Sequence, residues 1–134
     1  MDTSRPGPLM MLGGGILMVL GPILKWGGDT SGVSTDAAGL LGIIVLLSGL
    51  FILGVGAVRA FGIEVAIPER IAGFTIEQIC LIDGFAAFLW VFAFATEDGT
   101  KIGLHLTWLG AALATAGAAV AIRQTRTTPP GGVL

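Results

Sequence analysis

Residues 37–58 read AAGLLGIIVLLSGLFILGVGAV. These 22 consecutive positions hold no charge and no proline. A helix needs about 20 residues to cross about 30 Å of hydrocarbon, so this stretch is long enough to span a bilayer by itself. Gly42, Gly49 and Gly56 recur within it at every seventh residue. Seven residues turn a helix through about 700°, so such positions drift only about 20° per step and form one stripe.

Three further apolar runs flank it. The first, Leu9 to Leu24, reaches span length when it is taken as 8–26 with Lys25 snorkelling outward. The third is read as 77–96 and contains Asp83; the fourth is read as 102–122, with His105 its one titratable group. The expected fold is all-α: an integral membrane four-helix bundle in one domain, residues 1–126, followed by a disordered tail at 127–134. Local signals fit. Pro8 suits a first helical turn. Ser34, Thr35 and Asp36 offer N-caps to the second span, and Asp98 or Thr100 to the fourth. Pro68-Glu69 reads as a helix start, and Pro22 should bend the end of the first span.

Composition narrows the function classes. The chain has 134 residues, 54% of them hydrophobic, 12% charged, with 22 glycines and net charge −2. Soluble domains carry about 25% charge and about 7% glycine. An ordinary soluble enzyme of this length cannot bury so much apolar surface. There is no basic patch for nucleic acid. The single Cys80 makes neither an internal disulfide nor a cysteine-rich metal centre, and no metal or cofactor motif occurs. The basic residues divide as Arg5, Arg59, Arg70, Arg123 and Arg126 against Lys25 and Lys101. That bias puts both termini in the cytoplasm of a multi-pass protein of the cell membrane. Trp26, Arg59 and Arg123 are the expected interface anchors. The first run lacks the small-x-small pattern of a cleaved signal.

The glycine period recurs. Gly7, Gly14 and Gly21 are seven apart, and so are Gly103, Gly110 and Gly117. Small residues let helices approach closely in lipid, so these are helix-packing positions. Three stripes in four helices exceed the need of one helix pair and leave room for other subunits. Five of the ten aromatics, Phe85, Phe88, Trp90, Phe92 and Phe94, lie in the third run, where rings fill the space beside glycines. Gly39 precedes Arg59 by 20 residues, as Gly103 precedes Arg123, a faint sign of two tandem hairpins.

Asp83 is the candidate intramembrane polar site. If the third helix starts near Glu77, it lies about 9 Å deep by helical rise. An acid there is a proton relay, a cation site or a buried partner, with Arg59 or Arg70 as counter-charge. If the helix starts later, Asp83 is an interfacial cap before Gly84. His105 lies toward the other end, so the two are not a catalytic pair. In the inner loop, Ile71, Phe74 and Gln78 or Ile79 have helical spacing, which suits an interfacial helix lying on lipid or docking a partner.

The first hairpin, from Gly15 through Leu20-Gly21-Pro22 to Lys25-Trp26 and on to Asp36-Ala37-Ala38-Gly39, resembles a group of small, largely uncharacterised four-span membrane proteins of actinobacteria. So does the last span, Gly103-Leu104-His105-Leu106-Thr107-Trp108-Leu109-Gly110 to Gly117 and Arg123. Lys25 stands where that group often has proline. The resemblance implies an architecture and no activity. The expected function is a non-enzymatic accessory or structural subunit, with the lipid bilayer and other membrane chains or copies of itself as partners. The alternative is a small proton- or cation-coupled transporter or channel using Asp83.

Overall fold

Helices form along the charge-poor runs, and the computed structural model describes residues 5–27, 30–33, 39–96 and 99–127. Helix α1 covers Pro6–Ile23, α2 Gly39–Phe61, α3 Ile76–Ala95 and α4 Ile102–Thr127. Each of the four is long and apolar enough to cross a membrane. Ser34, Thr35, Asp36, Asp98 and residues 128–134 of the expected tail lie outside the described residues.

Proline sets both ends of α1. Pro6 takes its first turn, where a missing N–H costs nothing. Pro22 lies near the other end; the helix stops at Ile23, and Leu24 is extended (φ −80°, ψ 171°). The chain then forms a small hairpin that hydropathy does not foretell. Strand β1 (Lys25–Gly27) pairs antiparallel with β2 (Thr30–Ser31). The Lys101 N–H donates to the Trp26 carbonyl at 2.8 Å and ties the start of α4 to this hairpin.

The connection from α2 to α3 corrects the expectation of an interfacial helix there. Pro68 and Glu69 start no helix. Ile71 and Phe74 instead pair across a tight turn, with Ala72 at φ 52° and Gly73 at φ 87°. Two successive positive φ values are the signature of a type I′ turn. Helix α3 begins only where a reciprocal cap is available. The Gln78 N–H donates to Thr75 Oγ1 at 3.2 Å, and the Thr75 N–H donates to Gln78 Oε1 at 2.9 Å. This capping box satisfies two donors that the helix start would otherwise orphan.

Helix α1 lies between α2 and α4, and α3 packs on α4, while α2 and α3 barely touch. Two tandem hairpins related by a two-fold axis would make the α1–α4 and α2–α3 interfaces equivalent. They are the closest and the thinnest of these contacts, so the faint sequence repeat does not extend to the packing. Met11, Met18, Val45, Ile52 and Val91 form the buried centre. The α3 rings depart from expectation. Trp90 is 52% exposed, Phe85 and Phe94 are exposed too, and Phe92 is exposed along one side. Phe88 turns inward against α4: it stacks on Phe92 at 5.4 Å, and both meet Trp108 edge-on. Rings do not fill the glycine grooves because helix backbones already occupy them.

Candidate functional site

Glycine decides how closely the helices approach. Gly7, Gly14 and Gly21 of α1 face Gly117, Gly110 and Gly103 of α4 in antiparallel order. A Cβ placed on Gly7, Gly14 or Gly21 would lie 2.9, 2.6 or 2.9 Å from the carbonyl oxygen of its opposite glycine. The reverse holds for Gly103, Gly110 and Gly117, at 2.8, 2.9 and 2.8 Å. The stripe of α2 lies mainly against another face of α1. A Cβ on Gly49 would lie 2.7 Å from Met18 Cβ, and one on Gly56 would lie 2.7 Å from the Leu12 nitrogen. Gly42 meets the backbone of Gly32. All three stripes are therefore filled within the chain, and none is left over for a further subunit. That corrects the expectation of surplus stripes.

Trp26 stands at the end of α1 but is only 5% exposed. Its ring covers Gly32, and its Nε1–H donates to the Gly21 carbonyl at 3.1 Å. It plugs the bundle end rather than anchoring in headgroups. His105 is also engaged. The Trp108 Nε1–H donates to His105 Nδ1 at 3.1 Å. An indole N–H can only donate, so Nδ1 accepts. The other nitrogen, Nε2, lies 3.2 Å from Thr100 Oγ1. Thr100 thus joins His105, and the imidazole is a structural link at the start of α4.

Asp83 is different. With Thr75 as the cap, Asp83 is the eighth residue of α3, about 10 Å from its start by helical rise. The interfacial-cap reading is thereby corrected: Asp83 lies inside an apolar helix. Ser48 Oγ of α2 donates to Asp83 Oδ1 at 2.9 Å. The pair sits in an open groove of about 520 Å³ along the thin α2–α3 seam, walled by Leu47, Phe51, Ile79, Ile82 and Ala86.

The expected counter-charges are engaged elsewhere. Arg59 Nε donates to Glu77 Oε1 at 2.8 Å, with side chains 45% and 11% exposed. Arg70 Nη1 donates to the Gly73 carbonyl within its own turn. Arg123 lies exposed near the end of α4. Asp83 and His105 share no partner. Among the described residues no group of three His, Cys, Asp or Glu side chains could hold a metal ion, and Cys80 is buried without a disulfide. Among the described residues, the polar arrangement includes a carboxylate–hydroxyl pair in an apolar groove, an ion pair at the arginine end of the bundle, and a histidine link at the tryptophan end. A comparison with known protein families, curated proteins and solved structures returns no match.

Proposed function

We propose that this chain is a non-enzymatic integral membrane protein that serves as an accessory or structural subunit, docking through its α2–α3 face onto another membrane helix or a second copy. The observation that carries this reading is the Ser48–Asp83 pair, open along the thin seam between α2 and α3. An acid at the centre of a membrane helix costs about 2.5–3.5 kcal/mol on insertion scales. A carboxylate offers about four acceptor positions, of which Ser48 fills one. A neighbouring helix that brings a donor would lower this cost and cover the seam. In native membranes, Leu47→Cys and Ile82→Cys, each in a Cys80→Ala background, are expected to give a discrete cross-linked species. Leu20→Cys, exposed on α1, should give none. Equal yields from all three positions would defeat the reading.

The position of Asp83 within α3, with a hydroxyl donor beside it, favours a second reading: proton- or cation-coupled transport. On that reading Asp83→Asn in proteoliposomes lowers dye-reported proton flux by about a hundredfold or more, the scale on which general acid–base groups act. Unchanged flux in the variant, or none in the unsubstituted protein, removes it.

A further inference from the structure

The arginine end holds a second polar hollow, separate from the Asp83 groove. Arg5, Arg59 and Glu64 line an open space of about 530 Å³ together with Gly62, Ile63 and Val65. That is within the size range of small-ligand sites. Its charges are arranged in two parts. Arg5 is the N-cap residue of α1, and the first turn of that helix has no acid, so the positive helix end adds to the guanidinium. Arg59 uses Nε on Glu77, one of the five donors that a guanidinium carries. Glu64 supplies the opposite charge on the same wall. The surroundings are apolar although most of them lie outside the helices: Phe61 at the end of α2, and Ile63, Val65, Ile71 and Phe74 in the connection, are all exposed. In water such a connection would be unfavourable. In a protein that crosses the bilayer with four helices, it lies at headgroup level, where apolar side chains meet acyl chains.

We infer that this hollow binds a phospholipid headgroup, with Arg5 and Arg59 on the phosphate and Glu64 on a headgroup ammonium, so that phosphatidylethanolamine is its fitting ligand. Guanidinium and phosphate match in geometry and charge. A lone phosphate dianion would be opposed by Glu64, whereas a zwitterion satisfies both signs. A choline headgroup has the charge but no N–H to donate, which makes it the discriminating comparison. The inference needs the membrane-spanning architecture but not the lateral docking proposed above.

The test is native mass spectrometry of the full chain, stripped of lipid and reloaded with equal amounts of phosphatidylethanolamine and phosphatidylcholine. The unsubstituted protein should retain the first about tenfold over the second, the factor that one charge-assisted hydrogen bond carries. Arg5→Gln, at an exposed position before α1, should lower retention of both lipids. Glu64→Gln, in the exposed connection, should remove only the preference. Equal retention of the two lipids by the unsubstituted protein would overturn the inference. So would an intact preference in Glu64→Gln, unchanged retention in Arg5→Gln, or displacement of the lipid by an equal concentration of soluble phosphoethanolamine.

Discussion

Gly14→Ala is expected to lower stability by about 3 kcal/mol, the upper part of the usual range for overpacking, while Gly54→Ala leaves it unchanged or raises it. The new Cβ at position 14 would stand 2.6 Å from the Gly110 carbonyl oxygen and 2.8 Å from Ala114 Cα. Both are backbone atoms, so no rotamer change relieves the contact. The two helices must separate, and dispersion contacts weaken steeply with even a fraction of an ångström of added distance. The cost therefore spreads along the whole α1–α4 ladder. Gly54 lies in α2 with nothing within 4 Å of an added Cβ. There alanine adds only helix propensity, up to about 1 kcal/mol over glycine. Detergent-denaturation midpoints in mixed micelles, followed by helix content, separate the two. Equal midpoints for both variants would refute the backbone-contact account.

The sevenfold period makes the helix-packing positions legible but not the helix that each stripe meets. Gly7, Gly14 and Gly21 pair with α4, the helix most distant in sequence, rather than with α2. The run Gly13-Gly14-Gly15 shows why period alone is incomplete. Successive residues turn by about 100°, so Gly14 faces α4 while Gly15, outside the stripe, lies 2.7 Å by its would-be Cβ from the Leu53 nitrogen of α2. Two grooves on one helix need glycines on two faces. The direction of the α3 rings is not legible for a separate reason. Lipid is as apolar as a protein core, so burial gives Trp90 no inward preference.

Asp83 stands out as the one acid between Ile79 and Thr96. Its place in the helix was harder to read, because two start signals compete upstream. Pro68-Glu69 suggests a helix, while Thr75-x-x-Gln78 is the capping box that starts it. Gly73, the residue suited to positive φ in the intervening turn, decides between them. Ser48 was not legible as a partner, since a serine 35 residues away carries no spacing signal. The pairing of Glu77 with Arg59 is not legible either, because the helix dipole already accounts for an acid at a helix start.

Glu77 supplies the second large effect. Arg59→Ala should destabilise the protein, and adding Glu77→Gln should recover much of the loss. Removing one partner of a fully buried ion pair costs about 3–5 kcal/mol, because the other charge stays buried alone. Here Arg59 is 45% exposed and Glu77 11%, so water reaches one side of the pair. Solvent screening brings the expected loss down to about 1–2 kcal/mol. The first turn of α3 offers its N–H groups to the stranded carboxylate, which limits the loss further. Neutralising Glu77 in the Arg59→Ala background removes the buried charge, so the double variant should be more stable than the single one. If the two unfold at the same midpoint, the loss comes from the missing arginine stem and not from the unpaired carboxylate. The pair also joins the last turn of α2 to the first turn of α3 across the seam where those helices otherwise barely touch. Its loss should therefore loosen the α2–α3 groove before the glycine-locked α1–α4 core, and hydrogen exchange should accelerate first at the end of α2 and the start of α3.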